Sequence, residues 1–186
     1  ELIRDLDFDF SEDFFLVTYH PVTLSTESVE EHYKQLFLAL DAFPSYKCIF
    51  TMSNTDPGGK KIFDIVNSYC EHNKERAACF ISLGCQRYYS LIRLSSAVIG
   101  NSSSGLLEAP YFNVPTVNIG DRQRGRLEAS SVISCGASQD DILNALKLVV
   151  NEKWKNEKLE NIEIPYGNDK PAQKICHFLE TVNLTE

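Results

Sequence analysis

Short apolar runs alternate along the chain with amphipathic stretches. The runs predict strands at 14–18, 48–52, 78–82, 97–99, 116–119 and 132–135. Between the runs, apolar residues recur at helical spacing and predict helices over about 28–42, 62–69, 88–94, 104–112 and 138–149. Strands that alternate with helices are typical of a parallel sheet covered by helices on both faces. We therefore expect an α/β domain.

The carboxy-terminal part of the chain has a different pattern. Residues 151–168 are polar, contain Pro165 and Gly167, and are expected to form a crossing segment that leads to a last helix over 172–184. We therefore expect one lobe over 1–168. Residues 169–186 are expected to contribute a helix that packs back across the hinge of a two-lobed protein.

Composition and charge exclude several classes of protein. The apolar fraction of 43% is ordinary for a globular domain, and no apolar run is long enough to span a membrane. A net charge of -8 argues against a broad surface for nucleic acid or anionic membrane. The 6 cysteines include no CxxC pair, which favours a reduced, cytoplasmic location. The chain lacks both an initiator Met and a signal peptide, so we expect it to be part of a longer protein.

The segment Gly100–Pro110, which reads GNSSSGLLEAP, lies between a predicted strand and a predicted helix. Small residues let backbone N–H groups approach an anion, and hydroxyls can follow phosphate oxygens. The same serines could merely cap the helix. Glu108, one turn further on, could accept hydrogen bonds from both hydroxyls of a ribose, or could simply complement the helix dipole.

Three other polar stretches follow predicted strands. The loop Asn118–Arg126 carries three arginines in five residues, which suit bidentate phosphate recognition, although a solvated basic loop is the alternative. His20 closes the first strand as either a functional or a structural hydrogen-bonding residue. Asn54 and Asp56 follow the second strand and could equally form a turn. No metal cluster, P-loop or GxGxxG fingerprint is visible.

Four segments together resemble the UDP-N-acetylglucosamine 2-epimerase family. They are Thr18–Thr23, Gly100–Pro110, Pro115–Arg126 and Pro165–Asn168, and their order and spacing match across nearly the whole chain. The stretch NIGDRQRGR within the third segment is similar to the hydrolysing branch of the family. The resemblance implies a GT-B architecture with two Rossmann-like lobes, of which this chain would be the second. It implies no cofactor and no metal.

The resemblance also implies roles for individual residues. Contacts with uridine and ribose fall on the backbone of Leu83 and on the side chains of Tyr88 and Glu108. Asn54 matches a further nucleotide-contacting position, with Asp56 nearby.

The remaining roles concern the diphosphate and the chemistry. Ser102, Ser103 and Arg122 would hold the diphosphate, and His20 would reach the ligand as the catalytic candidate of this lobe.

The family reaction converts UDP-N-acetylglucosamine into UDP and N-acetylmannosamine, a precursor of sialic-acid-type sugars. UDP is eliminated to leave a 2-acetamidoglucal, and water is then added. The acidic catalytic residues come from the first lobe, so the chain alone is expected to be inactive and the whole protein to be a homo-oligomer. Two alternatives remain: a donor-nucleotide domain of a GT-B glycosyltransferase, and a non-catalytic nucleotide-sensing module.

Overall fold

The structure, a computed structural model, describes residues 6, 8–20, 28–52, 59–167 and 170–182. Within these residues, six strands form one sheet: β1 Phe14–Thr18, β2 Lys47–Thr51, β3 Ala77–Phe80, β4 Ala97–Gly100, β5 Thr116–Ile119 and β6 Val132–Cys135. The strand order is β3-β2-β1-β4-β5-β6, and every neighbouring pair is parallel. This is the order of a Rossmann fold, so the expected parallel α/β sheet is confirmed.

Helices cover both faces of the sheet. They are α1 Val29–Asp41, α2 Gly59–His72, α3 Gly84–Leu94, α4 Ser103–Leu107, α5 Gln139–Val149, α6 Glu152–Leu159 and α7 Pro171–Thr181, with a 3-10 turn at Ala109–Phe112. Phe15 and Val17 pack in a core with residues of α1, α2 and α5. Phe14 and Leu16 point the other way and pack with residues of α3 and the 3-10 turn. Alternate residues of β1 therefore serve two cores, which explains why its sequence is continuously apolar.

Several predicted helices have different bounds in the structure, and two of these helices lie beside the carboxyl ends of the central strands. The helix predicted over 104–112 is split at Glu108 into α4 and the 3-10 turn, because Pro110 has no N–H for a continuous helical ladder. Asn113, with a φ of 57°, then ends the turn. Helix α3 begins at Gly84, four residues before the predicted start at Tyr88.

The segment 151–168, predicted to cross toward the last helix, contains a helix that its polar pattern did not indicate. Residues Glu152–Leu159 form α6, whose first turn is capped by Asn151 through a 3.0 Å hydrogen bond from the backbone N–H of Trp154. No residue of α6 is buried, although Trp154 packs against the edge of the core. The sequence of this helix is almost wholly polar and so lacks the apolar spacing from which a helix is predicted.

Helix α7 is amphipathic and none of its residues is buried. Ile175, Phe178 and Leu179 are 58%, 62% and 62% exposed. We call these three side chains the α7 apolar face. No helix among the described residues is both long and apolar enough to cross a membrane.

Candidate functional site

The topology of the sheet creates a crevice between β1 and β4. The chain leaves β1 toward β2 on one side and leaves β4 toward β5 on the other, so the loops at their carboxyl ends diverge. Ligands of open parallel sheets bind at such a switch point. The loops that follow these two strands begin with Tyr19-His20 and Asn101-Ser102, which are among the stretches singled out in the sequence.

An open cleft of about 360 Å³ lies at this edge of the sheet. Four of the predicted site residues line it: His20, Leu83, Tyr88 and Ser102. The Leu83 side chain is 6% exposed and packs in the core, so Leu83 can offer a ligand mainly its backbone, as the resemblance implies. The structure therefore brings together residues that are up to 82 positions apart in sequence.

A hydrogen-bonded chain of hydroxyls connects this cleft with Glu108. The Tyr88 hydroxyl donates to Ser104 Oγ at 3.0 Å, and Ser104 Oγ donates to Glu108 Oε2 at 2.6 Å. The other carboxylate oxygen accepts a hydrogen bond from the Tyr89 hydroxyl at 3.2 Å. Two hydroxyl donors on a charged acceptor fix the orientation of the carboxylate.

Tyr88 and Tyr89, the two tyrosines of this hydrogen-bonded network, are held in their protonated, donating form. Burial raises the pKa of Tyr88, with an opposing effect from its hydrogen bond to Ser104. A hydrogen bond with Cys85 and the nearby Glu108 carboxylate raise the pKa of Tyr89 to about 12. Both phenols therefore remain hydrogen-bond donors at neutral pH.

Ser102 and Ser103 lie at the start of α4. Ser102 is the N-cap, and its hydroxyl oxygen accepts the N–H of Ser104 at 3.3 Å. Ser103 is the first helical residue and is partly exposed, but it is not among the residues that line the cleft. Helix α4 has only five residues, so its dipole is small. What it can offer an anion is the N–H groups of its first turn and the hydroxyls of its serines.

Arg122 reaches the same region from the loop after β5. Positive φ angles at Gly120 and Gly125 shape this loop, and Arg122 Nη1 donates to the backbone carbonyl of Asn101 at 3.0 Å. That contact occupies part of a guanidinium that carries five N–H donors, so others are left for a phosphate. Arg122, Arg124 and Arg126 are all exposed, and the contact with Asn101 distinguishes Arg122. Asn54 and Asp56 lie outside the described residues.

Comparisons with known proteins identify the family of this chain. The family model described as UDP-N-acetylglucosamine 2-epimerase matches residues 3–180. The chain belongs to that family. It is 37% identical over 184 residues to a hydrolysing GDP/UDP-N,N'-diacetylbacillosamine 2-epimerase of Campylobacter jejuni, with 99% of this chain and 47% of that protein covered. It is 39% identical over 142 residues to the polysialic acid biosynthesis protein P7 of Escherichia coli, covering 76% of this chain and 36% of that protein.

Solved structures of family members share the fold. The S. aureus MnaA–UDP co-structure superposes with a TM-score of 0.73 at 17% identity, covering 97% of this chain and 47% of that one. The Methanocaldococcus jannaschii UDP-GlcNAc 2-epimerase in complex with UDP-GlcNAc and UDP gives a TM-score of 0.71 at 19% identity, covering 92% and 46%. These neighbours are of the GT-B type, as expected. This chain spans about half the length of the relatives it matches over nearly its full length.

Sequence reasoning missed the residues that hold the predicted ones in place. Asn101 is fully buried and contacts both His20 and Arg122, while Ser104 and Tyr89 hold Glu108. Asn101 and Ser104 stand inside the GNSSSGLLEAP segment, but nothing in that segment indicates which distant residues they contact. The family resemblance assigned a role to Tyr88 and none to its neighbour Tyr89.

Proposed function

We propose that this chain is the UDP-binding half of a hydrolysing 2-epimerase that converts UDP-N-acetylglucosamine into UDP and N-acetylmannosamine. The observation that carries the proposal is the convergence of His20, Tyr88 and Ser102 on one cleft at the switch point, with Glu108 and Arg122 tied to that cleft by hydrogen bonds. A carboxylate can accept the hydroxyls of a ribose, and hydroxyls and a guanidinium can donate to the phosphates of a nucleoside diphosphate.

The proposed contacts divide the nucleotide into parts. Glu108, whose carboxylate is already oriented, would accept hydrogen bonds from the ribose hydroxyls, and Tyr88 and the Leu83 backbone would contact the uridine. Ser102, Ser103 and Arg122 would bind the diphosphate. Asn54 is kept as a proposed contact on the basis of the resemblance.

These contacts matter most when UDP departs. In the proposed reaction a base takes the C2 proton, the bond from C1 to the phosphate oxygen breaks, and a C1–C2 double bond forms. Water then adds a hydroxyl at C1 and a proton at C2. Arg122 would stabilise the charge that develops on the leaving diphosphate, with His20 assisting at the cleft. The carboxylates that handle the C2 proton are proposed to lie in the other lobe.

The α7 apolar face supports the two-lobed arrangement. Three large apolar side chains on one exposed helix are unfavourable in water, and we assign them to contact with the first lobe. The whole protein is proposed to be a homo-oligomer. A reducing, cytoplasmic location is supported by the free thiols of the cysteines.

One observation supports UDP-N,N'-diacetylbacillosamine as a second candidate substrate. The Campylobacter jejuni relative, named for N,N'-diacetylbacillosamine, is 37% identical over 99% of this chain. The proposed contacts of this lobe concern the nucleotide, which both sugar nucleotides share, so selection between the sugars would rest with the other lobe. Family membership favours an epimerase over a glycosyltransferase or a sensing module.

The test measures turnover with and without the first lobe. The whole protein, incubated with UDP-N-acetylglucosamine and no acceptor, should release UDP and N-acetylmannosamine, both visible by NMR. UDP-N,N'-diacetylbacillosamine serves as the competing substrate. The 186-residue chain should bind UDP weakly and turn over neither sugar nucleotide. Turnover by the highly purified chain would contradict the division of labour between the lobes, and absence of UDP binding would contradict the proposed function itself.

A further inference from the structure

Asn101 is a fully buried polar side chain at the point where β1 and β4 separate. Its Oδ1 accepts the backbone N–H of His20 at 2.7 Å, and its Nδ2 donates to the backbone carbonyl of His20 at 2.9 Å. The backbone N–H of Asn101 also donates to the Thr18 carbonyl at 3.2 Å. The side-chain amide therefore pairs with His20 as a neighbouring strand would, and extends the β1–β4 contact beyond the last strand residue.

The backbone carbonyl of Asn101 serves the opposite side of the cleft. It accepts Arg122 Nη1 at 3.0 Å and Gln123 Nε2 at 2.7 Å, which together engage both lone pairs of the oxygen. Gln123 is 2% exposed, so its contact is shielded from water. One residue thus holds the loop after β1 with its side chain and the arginine loop with its backbone.

We infer that Asn101 is a positioning residue that sets His20 and Arg122 relative to each other and to a bound diphosphate. The inference rests on the proposed function, since it concerns the nucleotide assigned to this cleft. His20 and Arg122 belong to loops that follow different strands, and among the described contacts Asn101 is the residue that both share. The side-chain pairing with His20 holds Asn101 in place, so loss of that pairing frees the backbone carbonyl that anchors Arg122.

A residue that merely stabilised the fold would affect the binding of UDP and of uridine alike. Loss of a positioning residue for Arg122 weakens the diphosphate contacts and spares the uridine contacts at Tyr88 and Glu108. The ratio of UDP affinity to uridine affinity therefore separates positioning from general stabilisation. Asn118 supplies a matched control because it is another buried asparagine at the same sheet edge, 3% exposed, whose amide donates to Ser134 Oγ at 2.9 Å.

The conservative substitution Asn101→Asp adds a readout that depends on pH. A protonated carboxyl group keeps one acceptor and one donor for the His20 backbone, whereas the ionised form loses the donor and opposes the His20 carbonyl. Burial raises the pKa of a carboxyl group introduced there. The defect in UDP binding should accordingly be small at low pH and grow as the pH rises.

The experiment titrates the 186-residue chain with UDP and with uridine by ligand-observed NMR. Asn101→Ala keeps the backbone carbonyl that accepts Arg122 but removes the side-chain pairing with His20 that fixes this carbonyl. It should weaken UDP binding about tenfold to a hundredfold, as expected if Arg122 loses one charge-assisted contact with the diphosphate, and uridine binding less than about threefold. Asn118→Ala should leave the UDP-to-uridine ratio as in the wild type. For Asn101→Asp, the UDP dissociation constant relative to wild type at the same pH should rise between about pH 6 and pH 9.

The outcomes separate this inference from the proposed function. If the wild-type chain does not bind UDP, the proposed function fails and the inference falls with it. If the wild type binds UDP and folded Asn101→Ala binds it equally well, only the inference is wrong. Equal losses for UDP and uridine would reduce Asn101 to a structural role and also overturn the inference. If Asn101→Ala does not fold, Asn101→Asp decides the question. A UDP dissociation constant that, relative to wild type, does not change with pH would then overturn the inference.

Discussion

Replacing Gly100 with alanine is expected to force apart the two strands that frame the cleft. Gly100 is the last residue of β4, lies in register with Thr18 and has a φ of 131°. A Cβ atom at this position would lie 2.0 Å from the Thr18 carbonyl oxygen and 2.6 Å from its carbonyl carbon. Non-bonded carbon atoms pack at about 3.5 Å or more, so the strands must separate by over about 1 Å or the backbone must rotate.

The expected cost combines two effects. The backbone conformation alone penalises a residue with a side chain by roughly 1 to 2 kcal/mol. Separation of the strands also weakens the paired hydrogen bonds between Asn101 and His20, each of which contributes about 0.5 to 1.5 kcal/mol. Gly100→Ala should therefore lower the free energy of unfolding by about 3 kcal/mol, a large part of the stability of an ordinary domain.

The control for this prediction is Gly125→Ala. Gly125 has a φ of 85°, but a Cβ atom there would meet nothing within 4 Å, so only the conformational cost of roughly 1 to 2 kcal/mol applies. Urea denaturation of both variants and the wild type measures the difference. If Gly100→Ala is no less stable than Gly125→Ala, the claim that β1 and β4 lie too close together at Gly100 to admit a side chain is wrong.

Three further predictions concern the proposed contacts. In the whole enzyme, Arg122→Ala should cost about 2 to 4 kcal/mol of transition-state stabilisation and Arg124→Ala much less, because Arg122 is the one that bonds Asn101 beside the cleft. The measurement is kcat/KM, and equal, small losses for both variants would contradict this prediction. Glu108→Gln should weaken UDP binding by about 1.5 to 3 kcal/mol in calorimetry because an amide offers one acceptor where the ribose needs two, and unchanged affinity in a folded variant would remove the ribose contact. Phe178→Ser should leave UDP binding by the chain intact but weaken its association with a separately expressed first lobe; unchanged association would mean that the α7 apolar face lies elsewhere in the whole protein.

The buried strands could be predicted from the sequence because their apolar runs have few alternatives. β1 and β5, which are buried throughout, and β6, which is only partly buried, have the predicted bounds because turn-forming or polar residues flank their short runs. Two helix starts were also predictable. Ser28 and Ser138 each accept the backbone N–H of the acidic residue three positions later at 3.2 Å. Local chemistry decides these features, so a local pattern is sufficient.

The missed helical segments are those in which polar residues outweigh apolar periodicity. The first turn of α3, from Gly84 to Arg87, is wholly exposed and adds nothing to the apolar pattern. Helix α6 is held by its Asn151 cap and by Trp154 at the edge of the core, not by a buried stripe. Hydrophobic spacing cannot detect a helix that buries so little.

The individual site residues could be proposed from motifs, but their mutual arrangement could not. Glu108 depends on Tyr89, 19 positions earlier, and His20 depends on Asn101, 81 positions later. Such pairs form only after the sheet has brought β1 and β4 side by side. A motif identifies a loop with suitable groups, whereas the sheet topology determines which loops meet.

Gly100, Asn101 and Ser102 each make a different contact at the switch point between β1 and β4. Gly100, without a Cβ, lets β4 approach the Thr18 carbonyl. Asn101 then pairs with the His20 backbone where the strands diverge and water would otherwise enter. Ser102 caps α4 and turns the chain away from the sheet. Because each residue acts on a different neighbour, exchanging any two of them would remove the contacts that those two make. The Gly-Asn-Ser order therefore follows from the geometry of the cleft before any ligand is considered.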